Sequence, residues 1–168
     1  MSLYRLIVLS LGAGVQSSAL LLMACRGVIE KPNLAIFADT GWETAATYQW
    51  LEFLGGEAGK AGIEVVTCGR GNIRDYEASS SFRGKVFSVL PFYARMNGDN
   101  MILKRQCTNH FKITPIRRAI RHALGLKPRQ RAPKDCVEQW IGISTDERSR
   151  IWNYRPERMS SVRFPLVE

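Results

Sequence analysis

The sequence has only two histidines and four cysteines in 168 residues. Cys25, Cys68, Cys107 and Cys136 form neither a CxxC pair nor a zinc-ligand spacing, which argues against both a metal centre and a disulfide framework. Long apolar runs are missing too. The one at the N-terminus is interrupted by Gly12, Gly14, Gln16, Ser17 and Ser18 before it could serve as a signal-peptide core or a membrane span. A cytoplasmic protein without a membrane partner is expected. No internal repeat or low-complexity tract occurs, and 45% hydrophobic with 23% charged residues gives no compositional case for disorder. The length suits one domain spanning residues 1–168, with room for a single covered sheet.

Acidic residues are absent from one long stretch. Between Lys104 and Lys134 stand ten Lys or Arg residues and no Asp or Glu, in a chain whose net charge is +9. Such a segment either meets something anionic, nucleic acid included, or forms a solvated basic face.

What is present is an alternation of strands and helices. Leu3 to Leu9 is a continuous apolar run, as in a parallel-sheet strand buried on both faces. Ala19, Leu20, Leu22 and Met23 then take helix spacing, stopped by Arg26-Gly27. A second strand is expected at Leu34 to Ala38, a helix over Glu43 to Leu54, and a third strand at Ile63 to Thr67. Cys68 to Met101 shows no clear period; Tyr76, Phe82, Phe87, Phe92 and Tyr93 are scattered through it, and Pro91 forbids a long helix. Thr114-Pro115 reads as an N-cap with proline at the first helical position. The helix it opens carries Ile116, Ile120 and Leu124 inside, Arg117, Arg118 and Arg121 outside, and ends at Gly125. Lys127 to Lys134 reads as an exposed connection, and Val137 to Ile143 as a last strand broken by Gln139. The final "VRFPLVE" reads as unfinished. Right-handed crossovers between such strands give an α/β fold, an open parallel sheet with helices on both faces.

The first strand and helix are joined by Ser10-Leu11-Gly12-Ala13-Gly14-Val15-Gln16-Ser17-Ser18. Glycines there allow a tight curl and close approach of backbone N–H groups to a ligand, while the helix N-terminus favours an anion. No Lys-Ser or Lys-Thr pair follows, so the turn is not a Walker A loop. Position 17 is Ser where a Rossmann fingerprint needs a third glycine. By itself the stretch could be a tight turn without a ligand. Two further polar loops, Asp39 to Thr44 and Gly142 to Glu147, also follow strands, and in a parallel sheet all three converge on one edge.

These residues resemble the PP-loop family of adenine nucleotide α-hydrolases, and most closely its phosphoadenylyl sulfate (PAPS) reductase-like branch. The first turn is similar to the S-x-G-G-G-x-Q-S variant of the family motif. "FADTGWET" resembles the second element, "RQCTNHFKITPI" an R-x-C-x-x-x-x-K-x-x-P element, and "GISTDERSR" a G-I-x-x-D-E-x-x-R element. The resemblance implies a five-stranded parallel sheet of the HUP/Rossmann-like kind, binding ATP or PAPS across its C-terminal edge. Ser10, Gly12, Ala13, Gly14, Gln16, Ser17 and Ser18 would hold phosphate or sulfate. Asp39, Thr40 and Gly41 would lie near ribose or pyrophosphate, with Gly142 and Ile143 completing the nucleotide site, and the strand before Asp39 would present backbone to the adenine. Two departures stand out: Gln16 replaces the Asp of ATP-cleaving members, and no cysteine follows Cys136, whereas the reductases carry a nucleophilic thiol near the C-terminus.

Arg105 and Lys112 suit oxyanions, the first as a planar fork and the second as a point charge, although Lys112 could equally be a solvated surface residue. Cys107, among cationic neighbours, is either a thiolate nucleophile or a packed cysteine. Together these three are the catalytic candidates. Asp146 and Glu147 could hold Mg²⁺ beside phosphates, or cap a helix, or pair with Arg148 and Arg150. His110 and His122 read as packing or surface residues. The expected function is adenylyl or sulfur-group transfer in nucleotide or nucleic-acid metabolism, with a catalytically reduced nucleotide or nucleic-acid binding module as the alternative. Partner expectations are an adenine nucleotide, nucleic acid along 104–134, a sulfur-carrier protein, and a second copy in a homodimer.

Overall fold

Val8 and Leu9 are neighbours that point to opposite faces of a strand, yet both are fully buried, which requires cover on both sides. They lie in β1 (Leu6–Leu11), the central strand of the computed structural model, which describes residues 6–75, 80–82, 85–87, 93–96, 99–102, 107–154 and 157–168. The next elements are α1 (Val15–Cys25), β2 (Leu34–Asp39), α2 (Ala45–Lys60) and β3 (Glu64–Gly69). Two antiparallel hairpins come next, β4 (Ser80–Phe82) with β5 (Lys85–Phe87) and β6 (Tyr93–Met96) with β7 (Asp99–Ile102). A helical run leads into α3 (Thr114–Ala123), and β8 (Val137–Ile141) and β9 (Ser160–Arg163) complete the fold.

The main sheet has five strands in the order β3-β2-β1-β8-β9, and every pairing is parallel. The expected open α/β architecture is therefore present. The chain builds outward from β1 in one direction, then returns to build outward in the other, so strand order reverses between β1 and β8. α1 and α2 cover one face: Leu20, Leu21, Ala24, Leu54 and Ala58 pack with Ile7, Leu9, Leu11 and Trp140. On the other face, Ile120 of α3 packs with Val8, Leu34, Ile36 and Val137.

Local signals place most boundaries. Gly27 and Gly125 take left-handed φ values of 71° and 67° just past α1 and α3, the conformation that ends a helix. Thr44 caps α2 by accepting from the Thr47 N–H at 3.2 Å. α2 runs to Lys60, beyond the expected Leu54, and tolerates Gly55, Gly56 and Gly59 because Leu54 and Ala58, four apart, both dock on the core.

Thr114 is not an N-cap. It already has helical φ and ψ, and Thr108–Ile113 enters α3 as a wide π-turn. Proline lacks the N–H that a regular helix would use there, and the wider turn takes Pro115 without a break in the run. β9 is a strand that the apolar pattern does not reveal. Within the stretch left unassigned, Tyr76, Pro91 and Phe92 lie outside the described residues, as do Leu3 to Arg5 at the start of the expected first strand. No helix among the described residues is long and apolar enough to cross a membrane.

All four thiols are free. Cys68, on β3 against the α3-side core, has its pKa raised by burial from 9.0 to about 11. The unfolded thiol ionises first as pH rises, so this group removes stability across the window from 9.0 to about 11. Urea unfolding at a series of alkaline pH values is expected to show that fall, and Cys68→Ala to flatten it whatever its effect at neutral pH.

Candidate functional site

β1 ends at Leu11, and three residues turn the chain into α1. Ser17 closes this turn from inside: its Oγ accepts the Gly12 N–H at 3.1 Å and its hydroxyl donates to the Gly14 carbonyl at 3.2 Å. Ala13 holds a left-handed φ of 55°, a conformation that an alanine adopts only where its surroundings impose it. Gly14 is the N-cap of α1, and no side chain caps the helix. No acidic residue stands in the first turn of this 11-residue helix. Gly12, Gly14 and Val15 are exposed. The positive end of the α1 dipole thus opens to solvent with no acidic residue of its own first turn, an arrangement suited to an oxyanion.

Glycines bind the neighbouring loops to this turn. A Cβ on Gly142, just after β8, would stand 2.7 Å from the Ser17 nitrogen and 2.8 Å from the Gln16 carbonyl carbon. Such a separation is not accessible to real atoms, so only glycine lets the β8 loop lie against the start of α1. A Cβ on Gly69 would meet the Asp39 carbonyl oxygen at 2.8 Å. Gly41, with φ of 69°, allows the same approach to Asn72, whose Cα would be 2.8 Å away, and the Ile73 N–H donates to the Thr40 carbonyl at 2.8 Å. The loops after β1, β2, β3 and β8 therefore share one edge, and the β1 and β8 loops touch where strand order reverses, the place at which open α/β sheets bind ligands.

The expected site residues fall into two groups. Gly12, Ala13, Gly14, Gln16, Ser17, Asp39, Thr40, Gly41 and Gly142 are gathered on this edge, and buried Ile143 anchors the β8 loop beneath it. Several have partners that the sequence did not reveal. The Ser10 hydroxyl accepts from Gln139 Nε2 at 2.8 Å, across the β1–β8 pair. Ser18 is buried and accepts from Trp50 Nε1 at 2.9 Å, which ties α1 to α2. Gln16 donates to Glu147 at 3.3 Å, and the other carboxylate oxygen of Glu147 holds Arg150 at 2.6 Å. Asp39 accepts the Gly41 N–H at 2.7 Å and the Tyr48 hydroxyl at 2.9 Å, which braces the loop and holds the Tyr48 phenol above its ordinary pKa. Thr40 is buried and donates to Glu43 at 2.9 Å.

The catalytic candidates are less concentrated. Arg105 lies outside the described residues. Cys107 is half-buried at the start of the helical run, and Lys112 is exposed on it. His110, in the same run, lies 2.8 Å from Arg70, beyond the end of β3, which brings this segment to the same sheet edge. Of the two carboxylates expected to hold Mg²⁺, Glu147 has both oxygens engaged by Gln16 and Arg150, and exposed Asp146 accepts from Thr145 at 3.3 Å. Among the described residues no group of three or more His, Cys, Asp and Glu gathers around one point. Sequence reasoning missed Asn72, Arg70 and the Arg74 guanidinium 5.2 Å over the Trp42 ring, all near the β2 and β3 loops. The signal available for them was Gly41 and Gly69, whose partners only the fold supplies.

Comparison with protein-family models, with curated proteins and with solved structures finds no match.

The glycines in this edge differ in what they require. Gly142→Ala drives a methyl into backbone and is expected to lower stability by about 1–3 kcal/mol, as overpacking does. Gly12→Ala meets only Ser17 Oγ, at 3.8 Å, and is expected to stay within about 0.5 kcal/mol of the parent. Chemical denaturation of both variants measures the difference.

Proposed function

We propose that the chain is an adenine-nucleotide-binding enzyme of the PP-loop type, taking ATP or PAPS and transferring an adenylyl or sulfur-containing group. The observation that carries this reading is the contact of Gly142 with the Gln16–Ser17 backbone, which sets a second strand-end loop beside an uncapped helix N-terminus at the point where strand order reverses. The similarity of the four sequence elements to the PAPS reductase-like branch supports the choice of nucleotide, and three of those elements meet on the edge just described.

In this reading, phosphate or sulfate oxygens lie on the exposed first turn of α1, and the braced Asp39–Gly41 loop flanks the ribose. Catalysis of phosphoryl or adenylyl transfer asks a protein mainly for positioning and charge neutralisation. The α1 dipole supplies fixed positive potential at the turn. Arg150 is paired with Glu147 and, through it, held beside Gln16 at the rim, so it positions the turn and adds no free cation. Gln16 acts through its amide rather than as a carboxylate, so its position contributes hydrogen bonding and no negative charge.

The alternative, a binding module that contacts nucleic acid through 104–134, draws on exposed Arg118, Lys127, Arg129 and Arg131. Arg117 and Arg121 do not belong to that surface as free cations: Arg117 pairs with Glu157, and Arg121 donates to the carbonyls of Lys127 and Gln130. One thermal-denaturation screen separates the readings. ATP, adenylyl sulfate or PAPS at about a hundred times its Kd is expected to raise Tm by about 5–10 °C. No rise with any of the three, together with salt-sensitive stabilisation by DNA or RNA, would replace the enzyme reading with the binding module.

A further inference from the structure

The α3 side of the sheet is apolar wherever α3 covers it, through Val8, Ile36 and Val137. Farther along the same strands, the residues that alternation turns to this face are Ser10 on β1 and Gln139 on β8. Two polar side chains on a buried sheet face are costly unless something pairs with them. Here they border a cavity of about 500 Å³, within the size range of small-molecule sites. Ile113, Ile116, Ile120, Ile141 and Val162 give it apolar walls, and Tyr154 and Thr108 add hydroxyls to the lining.

Among the described residues the charges that line the cavity are paired. Arg117 is paired with Glu157, and Arg150 with Glu147, so neither guanidinium seeks an anion. Ser10 and Gln139 hydrogen-bond to each other at 2.8 Å. A hydroxyl and a carboxamide joined by one bond still offer both a donor and an acceptor. An aliphatic chain would leave those groups unsatisfied, and an ion would lack a counter-charge. A flat, uncharged ring with an amide edge satisfies both: its faces lie on the isoleucines and its edge meets Ser10 and Gln139.

The position is as informative as the lining. Ser10 is two residues from Gly12, and the Gln16–Glu147–Arg150 chain runs from the glycine turn to the cavity wall. We infer that this cavity is a second ligand site, separate from the turn, for an uncharged planar ring bearing an amide edge. Its role as the site of the second substrate rests on the proposed nucleotide reading; its occupancy by such a ring does not.

The test uses the whole protein labelled at isoleucine δ1 methyls and titrated with 2-pyridone, an uncharged lactam ring. Saturable shifts are expected for the methyls of Ile116, Ile120 and Ile141, with Ile7 and Ile63 on the opposite face unmoved. Gln139→Leu is expected to weaken binding about tenfold, the loss of one buried hydrogen-bonded edge. Ser10→Ala carries the same expectation and serves if Gln139→Leu does not fold. Absence of saturable shifts, or equal binding of the cation N-methylpyridinium, would overturn the inference. So would competition of ATP with 2-pyridone, which would make the cavity part of the nucleotide site. If 2-pyridone binds as expected while ATP leaves the Gly12 and Gly14 amides unmoved, the cavity stands as a ligand site and the nucleotide reading falls.

Discussion

The backbone contact between Gly142 and the start of α1 is the constraint from which the rest of the site follows. β1 and β8 are neighbours in the sheet, but their following loops could diverge; they are held together because position 142 carries no side chain. The contact fixes the direction in which α1 leaves the sheet. It also sets the β8 loop, and with it Glu147 and Arg150, at the mouth of the glycine turn. The same device recurs on the other flank, where Gly69 and Gly41 let the β3 loop close on the β2 loop. Four strand-end loops become one surface by close backbone approach rather than by side-chain packing.

Electrostatics then give that surface a polarity. α1 begins with neither a capping side chain nor an acidic residue of its own, so its exposed first N–H groups present the positive end of the helix dipole. The carboxylates nearby are already in use: Asp39 braces its own loop through Gly41 and Tyr48, and Glu147 sits between Gln16 and Arg150. In the proposed reading this edge receives negative charge at the α1 turn, and its internal hydrogen bonds hold the loops in place before a ligand arrives. Just beneath it, on the α3 side, the described charges are neutralised in pairs and isoleucines give a cavity apolar walls. One edge thus offers two different chemistries side by side.

Much of this was legible in the sequence, and the reasons are specific. Runs such as Val8-Leu9 and Leu34 to Ala38 have the continuous apolar pattern of parallel strands buried on both faces, and their alternation with helices gave the fold class. In a parallel sheet every strand-end loop lies on the same edge, so grouping Gly12, Asp39 and Gly142 needed no knowledge of distances. Edge strand β9, Ser160–Arg163, was hidden because Ser-Ser-Val-Arg carries no apolar run; it owes its strand conformation to pairing with β8. The helical entry through Thr108–Ile113 was hidden because Thr-Pro is also a good helix start, and local preference cannot tell a start from a π-turn. The partners of Ser10, Ser18 and Gln16 stand 129, 32 and 131 residues away in sequence, so only the folded chain reveals that these side chains shape the site from within.

The central claim is that the first turn of α1 receives an oxyanion of an adenosine compound. Its most direct measurement is a two-dimensional amide NMR titration comparing ATP with adenosine. The account predicts that ATP shifts the amide signals of Gly12, Ala13, Gly14 and Val15 in a saturable way, and that adenosine leaves them nearly in place. Amides at the turn that respond to neither compound, or equally to both, would contradict it.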